Sequence, residues 1–279
     1  MQQTTIIHRS SLSDGEKRQI AKKITGELEQ RDGYYRLRHS APVDRATLDL
    51  LRKELGCDLN CLPESFSPSE IKLLITDMDS TLIAIECIDE IADMQGLKAE
   101  VSEITEAAMR GELDFANSLN RRVALLAGLP EEQLQRVYDE RLKLNPGADQ
   151  MLAGLKQKGI KTALVSGGFT FFTDRLKKEI GLDYTLANNL EIEGGKLTGH
   201  VSGDIVGAEA KAALLESLCA ELGISTNQVI AMGDGANDLL MLEKAGLSVA
   251  YHAKPAVRQA TSVAFDHSGL EGVCHLLQL

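Results

Sequence analysis

Residues 71–82 read IKLLITDMDSTL, an apolar run that stops on two acids, Asp77 and Asp79. Short apolar runs ending in reactive residues recur at KTALVSGG (161–168) and QVIAMGDGAND (228–238). Helical patterns stand between and after them, as in NPGADQMLAGLKQKG (145–159), KAALLESLCAEL (211–222) and NDLLMLEKA (237–245), with a further strand pattern LSVAY at 247–251. Apolar strands that alternate with helices predict an α/β fold with a parallel, doubly wound sheet. Ligands of such sheets sit at the carboxyl ends of the strands, so the three run-ends are expected to converge on one crevice.

Two stretches break the alternation. Residues 85–144 show helical periodicity without a convincing strand, in ECIDEIADMQ, VSEITEAAMR, FANSLNRRVALLAG and EEQLQRVYDERL, and read as a helical cap inserted into the core. The core itself is expected over 71–84 and 145–279, with a hairpin in NNLEIEGGKLTGHV (188–201). Residues 1–70 alternate strand-like TTIIHR and YYRLRH with helix-like DGEKRQIAKKITGELEQ (14–30) and DRATLDLLRKEL (44–55). The Pro- and Ser-rich CLPESFSPSE closes this small α/β appendage, which carries no chemical signal and suits a docking or regulatory piece.

Composition narrows the class. The 279 residues are 43% apolar, enough for a full core, and 41 acidic against 30 basic side chains give a net charge of −11. That charge argues against nucleic acid or an anionic membrane as the main partner. No apolar run approaches the roughly 18 residues of a membrane span, and the N-terminal residues lack the pattern of a signal peptide, so a cytoplasmic protein is expected. The five scattered cysteines form neither a disulfide framework nor a zinc set.

Convergence would gather Asp77, Asp79, Asp234 and Asp238, and four carboxylates in one crevice repel strongly without a counter-charge. An all-oxygen set suits Mg²⁺, held by Asp77, Asp234 and the backbone carbonyl of Asp79, with Asp238 facing back to orient the ligands. Paired acids also allow a division of labour, with Asp77 as the nucleophile and Asp79 as general acid and then base. Ser166, Gly167 and Gly168 offer a hydroxyl and unhindered N–H groups before a helix, a cradle for phosphate oxygens. Lys211 supplies a fixed positive charge to a phosphoryl group, and Asn237 a hydrogen bond to the ligand or to the lysine.

Together DMDST (77–81), SGG (166–168), Lys211 and GDGAND (233–238) resemble the haloacid dehalogenase superfamily, and within it the phosphoserine phosphatases, over about residues 71–279. The resemblance implies a Rossmann-like core with a helical cap, dependence on Mg²⁺ and an aspartyl-phosphate intermediate. It gives Asp77 the attack on phosphorus, Asp79 the acid–base role, Asp234 the metal, and Ser166, Gly167, Lys211 and Asn237 the phosphate. In the cap, Glu86 resembles the family's ligand for the serine ammonium and Arg122 its partner for the carboxylate. Met109 and Phe115 match the apolar residues that close over the substrate, O-phospho-L-serine. Residues 1–70 lie outside the match and are only loosely similar to a shortened ACT-type regulatory module. The competing expectations are a related phosphatase, a phosphotransferase to an acceptor such as homoserine, and a phospho-accepting signalling module, which would need neither Asp79 nor a cap.

Overall fold

The computed structural model describes residues 3–109, without the side chain of Met109, and 112–279. The chain divides into two compact units, Met1–Leu74 with Pro146–Lys161 and Leu218–Leu279, and Ile75–Asn145 with Thr162–Ser217.

The first unit opens with β1 (Gln3–Ile7), α1 (Asp14–Lys23), β2 (Gly26–Gln30), β3 (Tyr35–His39), α2 (Arg45–Leu55) and β4 (Leu59–Cys61). The strands form an antiparallel sheet in the order β2-β3-β1-β4. Ser13 and Glu16 close a capping box on α1, and Asp44 accepts the N–H of Thr47 at the start of α2. Ile7, Ile20, Leu37, Leu51 and Leu59 bury a core of their own beneath the helices. The helix expected over 14–30 is overturned, for it ends at Lys23 and GELEQ becomes β2. Pairing decides this: Gly26 lies so close to the Arg38 carbonyl that a Cβ there would sit 2.2 Å from its oxygen, and tertiary contact overrides the helix propensity of Glu, Leu and Gln.

Next come β5 (Leu73–Thr76) and the helices α3 (Cys87–Met94), α4 (Lys98–Met109), α5 (Phe115–Ala124) and α6 (Glu132–Glu140), then α7 (Ala148–Gln157). They are followed by β6 (Lys161–Phe169), α8 (Thr170–Ile180), β7 (Tyr184–Glu193), β8 (Lys196–Ser202) and α9 (Ala208–Leu222). In the second unit the strand order is β5-β6-β7-β8, with β6 and β7 parallel and β7 and β8 an antiparallel hairpin turned by Gly194 and Gly195. Both glycines have positive φ, +57° and +75°, as the tight hairpin requires. The helical segment rests on that hairpin: Gly128 donates to the carbonyl of Leu197, and Gly199, at φ +88°, leaves no room for a Cβ against Ala127.

The chain returns to the first unit through β9 (Val229–Gly233), α10 (Leu239–Lys244), β10 (Leu247–Tyr251), α11 (Pro255–Ala260), β11 (Val263–Phe265) and α12 (Gly272–Leu276). There the order is β11-β10-β9-β5, and β9, β10 and β11 run parallel, buried along their whole length as parallel strands are. The fold is thus α/β with a parallel sheet, as the alternation predicts. Polar side chains of the N-terminal sheet fasten it to this part of the unit. Asn60 pairs with both the N–H and the carbonyl of Ala264, at 3.0 and 3.1 Å. Asp58 accepts the backbone N–H groups of Asp266, His267 and Ser268 at 3.0, 3.0 and 2.7 Å. Among the described residues no helix is long and apolar enough to cross a membrane.

Candidate active site

Strand β5 ends at Thr76, so Asp77 and Asp79 stand on the loop behind it rather than on the strand itself. On a strand the spacing of two would set both acids on one face; here it is the loop that carries them. Asp77, 5% exposed, takes the N–H of Met78 on its own Oδ1 at 2.8 Å, and Ser80 turns the chain through a left-handed φ of +56°. Lys211, in the first turn of α9 and fully buried, places Nζ 2.8 Å from the same Oδ1. Asp79 is held at both oxygens: the N–H of Cys87, first residue of α3, donates to Oδ1 at 2.8 Å, and the Ser166 hydroxyl donates to Oδ2 at 3.1 Å. Ser166 in turn accepts the Gly168 N–H at 2.7 Å. Burial raises the pKa of the Asp79 carboxyl, against the lowering pull of the Cys87 and Ser166 hydrogen bonds and of the Lys211 charge. The second unit therefore gathers Asp77, Asp79, Ser166, Gly168 and Lys211.

Phe115, first residue of α5, lies over Gly167, where a Cβ would stand 2.6 Å from its Cζ. With the ring in this position only a hydrogen atom fits beneath it, and a larger group at 167 would have to push the ring aside. Glu86 caps α3 with its backbone carbonyl, and its exposed carboxylate accepts the Ser80 hydroxyl at 2.7 Å. Arg122 is half-buried two turns along α5, and its Nε donates to the Ser118 carbonyl at 3.4 Å. Burial depresses its pKa, while the charges of Asp89, Glu86 and Asp79 raise it. The side chain of Met109 lies outside the described residues.

In the first unit, Asp234 follows β9 and Asp238 stands in the turn before α10, still short of the helix on which the spacing places it. Fully buried, Asp238 accepts the N–H groups of Asp234 and Gly235 on Oδ2, at 3.2 and 3.0 Å, and so fixes the backbone that carries Asp234. Gly233 is obligatory here, since a Cβ would meet the Asp238 carboxylate at 2.4 Å. Asn237 is half-buried in the same turn.

Comparison with known proteins bears on this arrangement. The model of the haloacid dehalogenase-like hydrolases matches residues 71–246, well over half of the chain. The chain belongs to that family. A phosphoserine phosphatase from Polaromonas sp. (strain JS666) is 53% identical over 228 residues, which cover 80% of this chain and 97% of the relative. A HAD family hydrolase from Salmonella enterica subsp. enterica serovar Typhi superimposes with a TM-score of 0.91 at 34% identity, covering 99% of this hydrolase and 98% of that chain. A substrate-bound phosphoserine phosphatase complex superimposes with a TM-score of 0.70 at 39% identity, over 74% and 98% of the two chains.

Three contributors to the hydrolase's site leave no motif in its sequence. The backbone N–H of Cys87 is one, because any residue at that place would supply it. Asn188 is another: 1% exposed, it donates to the Gly167 carbonyl and accepts the Val206 N–H, both at 2.8 Å. It thereby ties the SGG loop, where the β6–β7 ladder breaks register, to the segment that leads into α9 and Lys211. The third is Asp89, on α3 among the charges that act on Arg122.

Proposed function

We propose that this hydrolase is a Mg²⁺-dependent phosphatase that cleaves O-phospho-L-serine to L-serine and phosphate, the last step of serine biosynthesis, in the cytoplasm. The observation that carries the reading is the buried Asp77–Lys211 pair beside an Asp79 held by Ser166 and by the start of α3. The names of the similar phosphoserine phosphatases support the substrate.

The Asp77 carboxylate attacks phosphorus, the bond from phosphorus to the serine oxygen breaks, and Asp79 gives that oxygen its proton. Asp79 then takes a proton from water, whose oxygen attacks the aspartyl-phosphate, so that phosphate leaves and both acids return to their first state. Lys211, the Ser166 hydroxyl, the Gly167 N–H and Asn237 hold the phosphoryl oxygens, while the Gly168 N–H, expected in the same cradle, is spent on the Ser166 oxygen. When bound, Mg²⁺ neutralises charge on those oxygens, and Asp77, the Asp79 carbonyl and Asp234, with Asp238 behind them, would hold it. Residues 85–144 serve as the cap, with Glu86 for the ammonium, Arg122 for the carboxylate and Met109 and Phe115 for the apolar lid; 71–84 and 145–279 are the catalytic core, and 1–70 an appendage.

Phosphate release from a panel of small phosphorylated metabolites, with Mg²⁺ and with a chelator, tests reaction, cofactor and substrate together. O-Phospho-L-serine is expected to lead the panel, and an Asp77→Asn variant to be inactive. Full turnover by that variant, with contaminating phosphatase excluded, defeats the reading. Phosphate passing to homoserine instead of water would make it a phosphotransferase.

A further inference from the structure

Asp89 lies in the first turn of α3, where its N–H donates to the Glu86 carbonyl at 3.1 Å. Its Oδ1 is buried and accepts no hydrogen bond from any described residue. An orphaned carboxylate oxygen inside a protein is costly, and it calls for a donor to satisfy it. Arg122 on α5 has the complementary deficit. It is half-buried, forms no ion pair among the described residues, and spends only Nε on the long bond to Ser118. Burial penalises both charges, raising the Asp89 pKa and depressing that of Arg122. Each is also the other's strongest opposing charge: Arg122 acts on Asp89 ahead of Lys98, and Asp89 on Arg122 ahead of Glu86 and Asp79. Lys98 already pairs with Asp93 at 3.7 Å, and Glu86 with Ser80. That leaves Asp89 and Arg122 for one another.

We infer that Asp89 is a positioning residue for substrate recognition: with substrate bound, its Oδ1 takes one edge of the Arg122 guanidinium and aims the other at the substrate's carboxylate. A planar guanidinium has two such edges, and a carboxylate on one of them fixes the plane of the other. The inference rests on the phosphoserine reading above and adds a residue that the sequence motifs do not mark.

The test compares O-phospho-L-serine with phosphoethanolamine, which keeps phosphate and amine but lacks the carboxylate, across wild type, Asp89→Asn, Asp89→Glu, Arg122→Ala and the Asp89→Asn/Arg122→Ala double variant. Asp89→Asn is expected to raise KM for phosphoserine about tenfold with kcat little changed. Its effect on phosphoethanolamine stays within about twofold, Asp89→Glu recovers part of the loss, and in the Arg122→Ala background the substitution adds nothing. Urea midpoints of the single variants show that the fold is kept, because Asn is isosteric with Asp and removes a buried charge. Equal losses on both substrates, or additive effects of the two substitutions, overturn the inference while phosphoserine turnover by the wild type keeps the underlying reading. No turnover of phosphoserine by the wild type overturns both.

Discussion

The Nζ atom of Lys211 lies 2.8 Å from Oδ1 of Asp77, with the lysine wholly out of reach of solvent. A buried ion pair gives little net stability, but removing one member strands the other charge at a cost of about 3–5 kcal/mol. Lys211→Met is therefore expected to lower the urea-derived stability of the chelator-treated protein by about that amount, and to abolish turnover. Adding Asp77→Asn to Lys211→Met should restore stability but not activity. A double variant no more stable than Lys211→Met would show that the pair is not what holds this part of the fold.

Asp79 is expected to work in both chemical steps, and they separate by leaving group. For a poor leaving group such as the serine alkoxide, Asp79→Asn should slow steady-state turnover by about 10²–10⁴-fold, the usual worth of a general acid or base. With p-nitrophenyl phosphate, which needs no proton to depart, the first step survives. A burst of nitrophenolate of about one equivalent per chain should then precede slow turnover, visible by rapid mixing. Equal inhibition of both substrates without a burst would remove Asp79 from the acid role.

The parts of the candidate site legible in the sequence are those where one residue type suits the proposed chemistry and its place in the strand–helix alternation is plain: Asp77, Asp79, Ser166 and Lys211. What stays hidden depends on backbone groups or on contacts between distant segments. The Cys87 N–H has no side-chain signature, and Asn188 resembles any hairpin asparagine until its bonds to Gly167 and Val206 appear. Asp89 reads as a first-turn acid of a helix, and only the burial of Oδ1 sets it apart. The same physics explains the fold. Three-residue strands such as β4 and β11 are too short to show a period, and GELEQ is helical by propensity until β3 pairs with it.

The N-terminal sheet carries a pH sensitivity whose sign follows from its hydrogen bonds. Asn60 uses Oδ1 to accept from Arg52 and from the Ala264 N–H, so its Nδ2 is the atom 3.1 Å from Nε2 of His8. His8 must then carry its proton on Nδ1 and donate it to Nδ1 of His275 at 3.1 Å, which leaves both rings neutral. Burial depresses both pKa values below the ordinary 6.5, so below that pH the unfolded chain binds more protons than the folded one. Stability is fully present above about pH 6.5 and falls as the medium acidifies, by up to about 1.4 kcal/mol per pH unit for each ring. Urea midpoints measured from pH 7.5 to 5 should drop, and drop less in His275→Gln. An equal drop in the variant would place the sensitivity elsewhere.

Gly167 and Gly168 adjoin in sequence yet face different neighbours, and alanine at each should separate binding from chemistry. A methyl group at 167 would stand 2.6 Å from Cζ of Phe115, the free end of a flexible side chain on α5. The ring can swing away, so Gly167→Ala is expected to raise KM for phosphoserine severalfold while kcat stays within about threefold, the pattern seen when ground and transition states are weakened equally. At 168 the methyl group would stand 2.7 Å from Oδ2 of Asp79 and 3.0 Å from Oγ of Ser166. Neither atom can retreat cheaply, since the Cys87 N–H pins the other oxygen of Asp79 and the Gly168 N–H itself holds Ser166. A displacement of about 1 Å at a proton-transfer group costs on the order of 10²-fold in rate, so Gly168→Ala should lower kcat by that factor with KM nearly unchanged. Steady-state kinetics of the two variants side by side decide the point. If both lower kcat alike, Phe115 belongs to the rigid part of the site and not to a yielding lid.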